Sequence, residues 1–221
     1  LLNLFYEQKP MLFTDQMGDS YVVVEIDGKK VIFKCESNKF EKYLLKLFWD
    51  KAGSFIANDG VSKVLRLISA KAEHEGQQLH LYNRVALYED DFWYDLGDFK
   101  AVKCGVGQWQ IVDDVPVLFK SQQHQKTQDL PASAGGDLMK FFDHVSIKDS
   151  DQRLLFAVWL VAAFVPDIPH PVLVLFGEKG ASKSTTLRFA RSVIDPSRTG
   201  LLSLPSKEEL IQQLSHNYAP C

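Results

Sequence analysis

A chain of 221 residues, 46% of them hydrophobic, is long enough to bury one large core or two small ones. Its charge, 25 Lys and Arg against 28 Asp and Glu for a net of −3, gives no global pull towards nucleic acid or an anionic membrane. Three distant cysteines, Cys35, Cys104 and Cys221, and six scattered histidines make neither a CxxC pair nor an HExxH motif. That excludes a disulfide framework and a zinc site of common spacing, and it fits free thiols in a reducing cytoplasm.

The N-terminus has no basic region ahead of its apolar residues, so it does not read as a signal peptide. The chain begins with Leu1 and reads as a fragment. Tyr21 to Cys35 predicts a β-hairpin, with Val22–Ile26 and Val31–Phe33 as strands and Asp27-Gly28 as the tight turn. Phe40, Tyr43, Leu44, Leu47 and Phe48 then repeat at helical spacing behind caps at Ser37 and Asn38. Val61, Val64, Leu65, Leu67 and Ile68 do the same behind Asp59 and Gly60.

From Leu79 the pattern changes to a meander of short strands: Leu79–Leu87, Phe92–Asp95, Phe99–Cys104, Trp109–Val112 and Val115–Phe119. The polar stretch from Ser121 to Gly136 reads as a linker. Beyond it, helices are predicted over Asp137–Val145 and Asp149–Val165, the second ended by Pro166, Pro169 and Pro171. The apolar run Leu154 to Val165 is shorter than the roughly 20 residues a bilayer requires and reads as a buried core helix, with no membrane partner. Val172–Phe176 is a predicted strand, followed by a glycine loop and a helix to about Ile194 that Asp195-Pro196 ends. Leu201–Leu204 reads as a further strand and Lys207–Leu214 as a further helix. Strands alternating with helices argue for a parallel sheet in this half.

The loop Gly177-Glu178-Lys179-Gly180-Ala181-Ser182-Lys183-Ser184 follows the phosphate-binding pattern G-x-x-x-x-G-K-[ST], except that Ser182 replaces the second consensus glycine. Without that glycine the pattern occurs by chance about 0.1 times in a chain this long, so its context carries the reading. An apolar β-rich run leads into the loop, and an amphipathic helix with Leu187, Ala190, Val193 and Ile194 leads out. Converging N–H groups and a helix N-terminus suit a phosphate, and small residues let the backbone approach it. In this reading ATP is cradled by residues 177–185. Lys183 reaches the β- and γ-phosphates as the catalytic cation, Ser184 places its hydroxyl on Mg²⁺, and Thr185 offers its N–H near the α-phosphate. Hydrolysis needs a further carboxylate at the end of a later strand. No apolar strand ending in Asp follows the loop helix, while Glu208 and Glu209 fall on a predicted helix, so binding without rapid turnover is expected.

Several stretches resemble the ATP-binding primase- or helicase-like proteins of prophages and genomic islands, whose motor is of the AAA+ class near superfamily 3 and MCM-like helicases. They are Tyr82-Asn83-Arg84-Val85-Ala86, Tyr94-Asp95-Leu96-Gly97-Asp98, Gly107-Gln108-Trp109-Gln110-Ile111-Val112, Pro116-Val117-Leu118-Phe119-Lys120, Pro169-His170-Pro171 and Ile194-Asp195-Pro196, together with the loop. The resemblance covers Leu79 to the end. Element pattern and composition divide the chain into an α+β accessory domain over 1–120 and a linker over 121–136; with the resemblance, 137–221 reads as the start of an α/β P-loop NTPase domain of AAA+ type with parallel strands, cut before its Walker B acid. The resemblance further implies a DNA-replication motor acting on single-stranded or forked DNA, assembled as a homo-oligomeric ring. Two other readings stay open: a P-loop phosphotransferase acting on a small molecule, and a non-enzymatic interaction module with a degenerate loop.

Glu89, Asp90, Asp91, Asp95 and Asp98 read as turns and solvated surface rather than a metal-dependent nucleotidyl-transfer site. Lys29, Lys30, Lys34, Lys39, Lys42 and Lys46 read as a solvated face before a DNA groove. Phe92, Trp93, Tyr94 and Trp109 read as core packing before base stacking. Arg188 and Arg191 read as surface or interface residues.

Overall fold

The structure, a computed structural model, describes residues 1–122, 124–201, 206, 213, 217 and 218. The expected strand Leu201–Leu204 and helix Lys207–Leu214, with Glu208 and Glu209, fall almost wholly outside these residues, as does Cys221. The chain is a mixed α+β protein with several sheets and forms two compact units, each described by itself. One comprises Leu1–Tyr82 with Leu118–Ser121; the other comprises Asn83–Val117 with Gln122–Cys221. The chain crosses between the units at Tyr82–Asn83, at Val117–Leu118 and at Ser121–Gln122, the last of these at the start of the 121–136 stretch that composition suggests.

In the first unit, helix α1 (Leu2–Glu7) precedes strands β1 (Met11–Thr14), β2 (Ser20–Ile26) and β3 (Lys29–Lys34). Helices α2 (Asn38–Ala52) and α3 (Asn58–Glu75) and short strands β4 (Gln77–Gln78) and β5 (Leu81–Tyr82) follow. The sheet runs β3-β2-β1-β4, antiparallel except for β1 beside β4. The hairpin turn falls where expected: Ile26 faces Lys29, and Asp27 (φ 53°) and Gly28 (φ 75°) supply the two left-handed residues of a tight turn. Alternation along β2 buries both of its faces. Val22 and Val24 pack with Phe5, Phe40, Leu44 and Ile68, while Tyr21 and Val23 pack with Phe13 and Leu81. Ser37 caps α2 by accepting from the Phe40 N–H, and Gly53 (φ 60°) closes it. Helix α3 begins one residue before the expected Asp59 cap, and its capping residue Ala57 makes no side-chain bond.

In the second unit, strands β6 (Val85–Tyr88), β7 (Asp91–Gly97), β8 (Lys100–Gly105) and β9 (Gln108–Val112) form an antiparallel meander in chain order. The expected strand Leu79–Leu87 is broken at Asn83-Arg84, where Arg84 takes φ 118°. The expected fifth strand leaves the meander. Strand β10 (Leu118–Phe119) pairs in parallel with β5, in the first unit. The parallel pairings among the described residues, β1 with β4 and β5 with β10, thus lie in the first unit.

Asp137 caps a 3-10 helix (Leu138–Asp143), Asp149 caps α4 (Ser150–Ala162), and α5 (Lys183–Ile194) follows the loop. Phe142, Phe156, Leu160, Ala190 and Ile194 form this unit's helical core. Two expectations change. Only one side of α4 is buried: Leu154, Leu155, Val158 and Val161 are exposed. Val172–Phe176 makes no ladder with any described residue, and Val172 and Phe176 are 88% and 86% exposed. A β-rich run becomes a strand only when a neighbour accepts its backbone hydrogen bonds.

Candidate functional site

The glycine loop is an exposed turn ahead of α5, and its backbone explains its composition. Gly177 has φ 149°, Gly180 has φ 88° and Ser182 has φ 55°, all on the side of the map that favours glycine. Gly180 and Ser182 have positive φ on either side of Ala181. Ser182 therefore does occupy the conformation that the usual glycine would take freely, and a side chain there costs about 1 kcal/mol. Ala181 N–H donates to Glu178 O at 3.2 Å, which closes the turn.

Lys183 lies inside this curl. Its Nζ donates to the carbonyls of Gly177 (2.9 Å) and Glu178 (2.8 Å). The first intrahelical bond of α5 runs from Thr186 N–H to Ser182 O at 3.0 Å. The N–H groups of Lys183, Ser184 and Thr185 precede it and have no partner among the described residues. Thr186, buried, turns its hydroxyl back to Ser182 O at 3.2 Å. Three helix N–H groups without a partner among the described residues, a lysine held at the loop carbonyls, an exposed Ser184 and small side chains at 180–182 fit an anionic group with a divalent cation. No group of three or more His, Cys, Asp or Glu able to hold a metal occurs among the described residues.

The C-terminal end of α5 is held by residues far away in sequence. Arg84, 1% exposed, donates from Nε to Asp195 Oδ1 at 3.0 Å, and its other nitrogens reach the carbonyls of Asp95, Lys126 and Pro196. The Tyr94 hydroxyl donates to Ile194 O at 3.0 Å, and Gln128 Nε2 donates to Val193 O at 2.9 Å. The last carbonyls of the helix, which have no partner within it, are thereby satisfied. Burial pushes the Tyr94 hydroxyl up to about 12 and raises the Asp95 carboxyl, against the pull of the Gly97 N–H and Arg84. The stretch expected as a linker is bound on both sides. Lys126 N–H donates to Pro196 O and Gln128 N–H to Leu96 O, and Gln125 bridges Ser197.

Three separately noticed motifs, Tyr82-Asn83-Arg84-Val85-Ala86, Tyr94-Asp95-Leu96-Gly97-Asp98 and Ile194-Asp195-Pro196, thus contribute to one cluster through Arg84, Tyr94 with Asp95, and Asp195 with Pro196. Composition alone signalled none of these contacts. Arg191 corrects another expectation. It is buried and donates to Gly200 O at 2.6 Å and Asn217 Oδ1 at 2.8 Å, while Arg188 is exposed. Of the acidic residues, Glu89-Asp90 and Asp98-Phe99 form left-handed turns, and Asp91 pairs with Lys103 at 2.8 Å. Lys34 and Lys46 pair with Asp19 and Asp50 at the surface. Trp93 is buried, whereas Phe92 and Trp109 are 40% and 43% exposed.

No helix among the described residues is long and apolar enough to cross a membrane. Comparison with protein families, with curated proteins and with solved structures finds no match to this chain.

Proposed function

We propose that this chain binds ATP with Mg²⁺ through residues 177–185, as part of a DNA-replication helicase-like motor of the AAA+ class from a mobile element. The observation that carries the nucleotide reading is Lys183 Nζ folded onto the carbonyls of Gly177 and Glu178, directly ahead of three helix N–H groups with no partner among the described residues. The wider reading, with its DNA substrate and ring assembly, rests on the sequence resemblance.

When bound, the nucleotide supplies a triphosphate whose transfer needs charge neutralisation. The chain's part is positional. The N–H groups of Lys183, Ser184 and Thr185 and the dipole of α5 meet the phosphate oxygens. The Lys183 ammonium exchanges two neutral carbonyls for anionic oxygens, which makes stronger, charge-assisted bonds. Ser184 would hold Mg²⁺ through its hydroxyl. Asp195 is already committed to Arg84 and to the Tyr218 N–H, so it does not serve the metal.

The test is fluorescence anisotropy with a labelled ATP analogue and Mg²⁺. Lys183→Ala is expected to weaken binding at least about tenfold, a loss of about 1.4 kcal/mol. Equal affinity in Lys183→Ala and the parent chain overturns the proposal. In the full-length protein, single-stranded DNA is expected to stimulate ATP turnover; stimulation by a small-molecule acceptor instead favours a phosphotransferase.

A further inference from the structure

The meander in the second unit has one open row. Leu87 faces Phe92, Phe92 faces Cys104 and Cys104 faces Trp109, so these four side chains lie side by side across β6, β7, β8 and β9 on a single face. The next row on that face, Val85, Tyr94, Val102 and Ile111, is covered at Tyr94 by the end of α5. In the outer row Leu87, Phe92 and Trp109 are 43%, 40% and 43% exposed. Contiguous exposed apolar side chains mark interaction surfaces, whereas scattered ones do not.

Strand β9 adds a second, independent feature. It lies at the edge of the sheet, and its outer side has no partner among the described residues. Its sequence, Gln108-Trp109-Gln110-Ile111-Val112, carries no charge and no proline. Edge strands are ordinarily blunted by lysine, proline or a bulge, and β9 has none of these. The hairpin closes with Gly105 facing Gln108 across a two-residue turn, so Gln108, Gln110 and Val112 spend their backbone groups on β8. The N–H and C=O groups of Trp109 and Ile111 consequently point to the open edge.

Charge selects the occupant. Between Asn83 and Val117 stand seven carboxylates, Glu89, Asp90, Asp91, Asp95, Asp98, Asp113 and Asp114, against three cations, Arg84, Lys100 and Lys103, a formal net of −4. Exposed Glu89 and Asp90 form the β6–β7 tip, and Asp113 and Asp114 directly follow β9. Such a field repels nucleic-acid phosphates and favours a cationic partner. A second copy of the chain would bring the same negative field against itself.

We infer that β9 and the Leu87–Phe92–Cys104–Trp109 row form a docking edge for an extended, cationic segment of another polypeptide. The segment adds a fifth strand beside β9. Its backbone bonds Trp109 and Ile111, its alternate apolar side chains continue the open row, and its Lys or Arg residues meet the flanking carboxylates.

The probe is a fluorescein-labelled ten-residue peptide alternating Lys and Val, titrated against the whole 221-residue chain, with a Glu-Val peptide and a labelled oligothymidylate as comparisons. The Lys-Val peptide is expected to bind, and to lose about tenfold in affinity between 50 and 300 mM salt. Ile111→Pro removes one outward N–H without touching the β8 ladder and is expected to weaken binding about tenfold. Trp109→Gln, at an exposed side chain, supplies the same reading should Ile111→Pro fail to fold. The double variant Asp90→Lys with Asp113→Lys is expected to shift preference towards the Glu-Val peptide. Equal binding of the two peptides, affinity unchanged in both Ile111→Pro and Trp109→Gln, oligothymidylate binding lost in Trp109→Gln, or self-association abolished by Ile111→Pro each overturns the inference.

Discussion

Arg84 and Asp195 stand 111 positions apart in the chain and meet as a fully buried ion pair at 3.0 Å. Arg84 immediately precedes β6 and Asp195 is the C-terminal cap of α5, so the pair ties the meander to the helix that carries the glycine loop. The remaining guanidinium bonds go to main-chain carbonyls, and the second Asp195 oxygen accepts from the Tyr218 N–H at 3.2 Å. Burial of two charges is tolerated here because both are almost fully hydrogen-bonded.

Removing one partner leaves the other charge buried. Arg84→Met is expected to destabilise the second unit by about 3–5 kcal/mol in urea unfolding. The double variant Arg84→Met with Asp195→Leu is expected to lose less than the sum of the two single changes. Strict additivity would show that the two side chains are not energetically coupled.

Ser182 holds a left-handed conformation that glycine adopts without penalty. Ser182→Gly is expected to gain about 0.5 kcal/mol of stability, the relieved strain outweighing the extra freedom of the unfolded chain. Its affinity for the labelled nucleotide should be undiminished. A loss of stability in Ser182→Gly would mean that the serine side chain contributes more than its backbone costs.

The Tyr94 hydroxyl titrates higher in the fold than in the unfolded chain, at about 12 against 10.0, because burial disfavours the phenolate. The unfolded state therefore releases its proton first, and stability falls as pH rises from about 10 to 12. At pH 8, Tyr94→Phe loses the bond to Ile194 O and is expected to be less stable than the parent by about 1 kcal/mol. At pH 11 that gap is expected to narrow, since only the parent carries this titration. A constant gap across the window in urea midpoints would contradict the assigned burial of the hydroxyl.

Helix α4 separates two classes of leucine. Leu160→Ala, within the core, is expected to cost about 2–5 kcal/mol. Leu155→Gln, on the exposed side, is expected to change stability by less than about 0.5 kcal/mol. Comparable losses at both positions would mean that the outer face of α4 is covered in solution.

Local rules accounted for the elements whose stabilising partners are close in the chain. Asp27-Gly28 made its turn, Ser37 capped its helix, and Asp195-Pro196 stopped α5. The loop was legible because positive φ favours small residues, and its occupants were Gly177, Gly180 and Ser182. The linker assignment differed from the structure because polarity reports solvation preference and not hydrogen-bond partners. Gln125, Lys126 and Gln128 are polar and yet are fixed to Ser197, Pro196 and Leu96. Arg191 looked like a surface residue for the same reason; a guanidinium reads as exposed until distant carbonyls and amides surround it.

The sequence by itself determined the Asp27-Gly28 turn, the Ser37 cap of α2, the stop of α5 at Asp195-Pro196 and which short loop has the spacing for a phosphate, because each depends on conformational preferences within a few residues. Tertiary structure alone decided that Leu118–Phe119 pairs with Leu81–Tyr82, that Val172–Phe176 makes no ladder among the described residues, and that the meander and α5 share one unit through Arg84 and Asp195. Ladders and buried ion pairs need both partners, and partners separated by tens of residues are chosen by the packing of the whole unit.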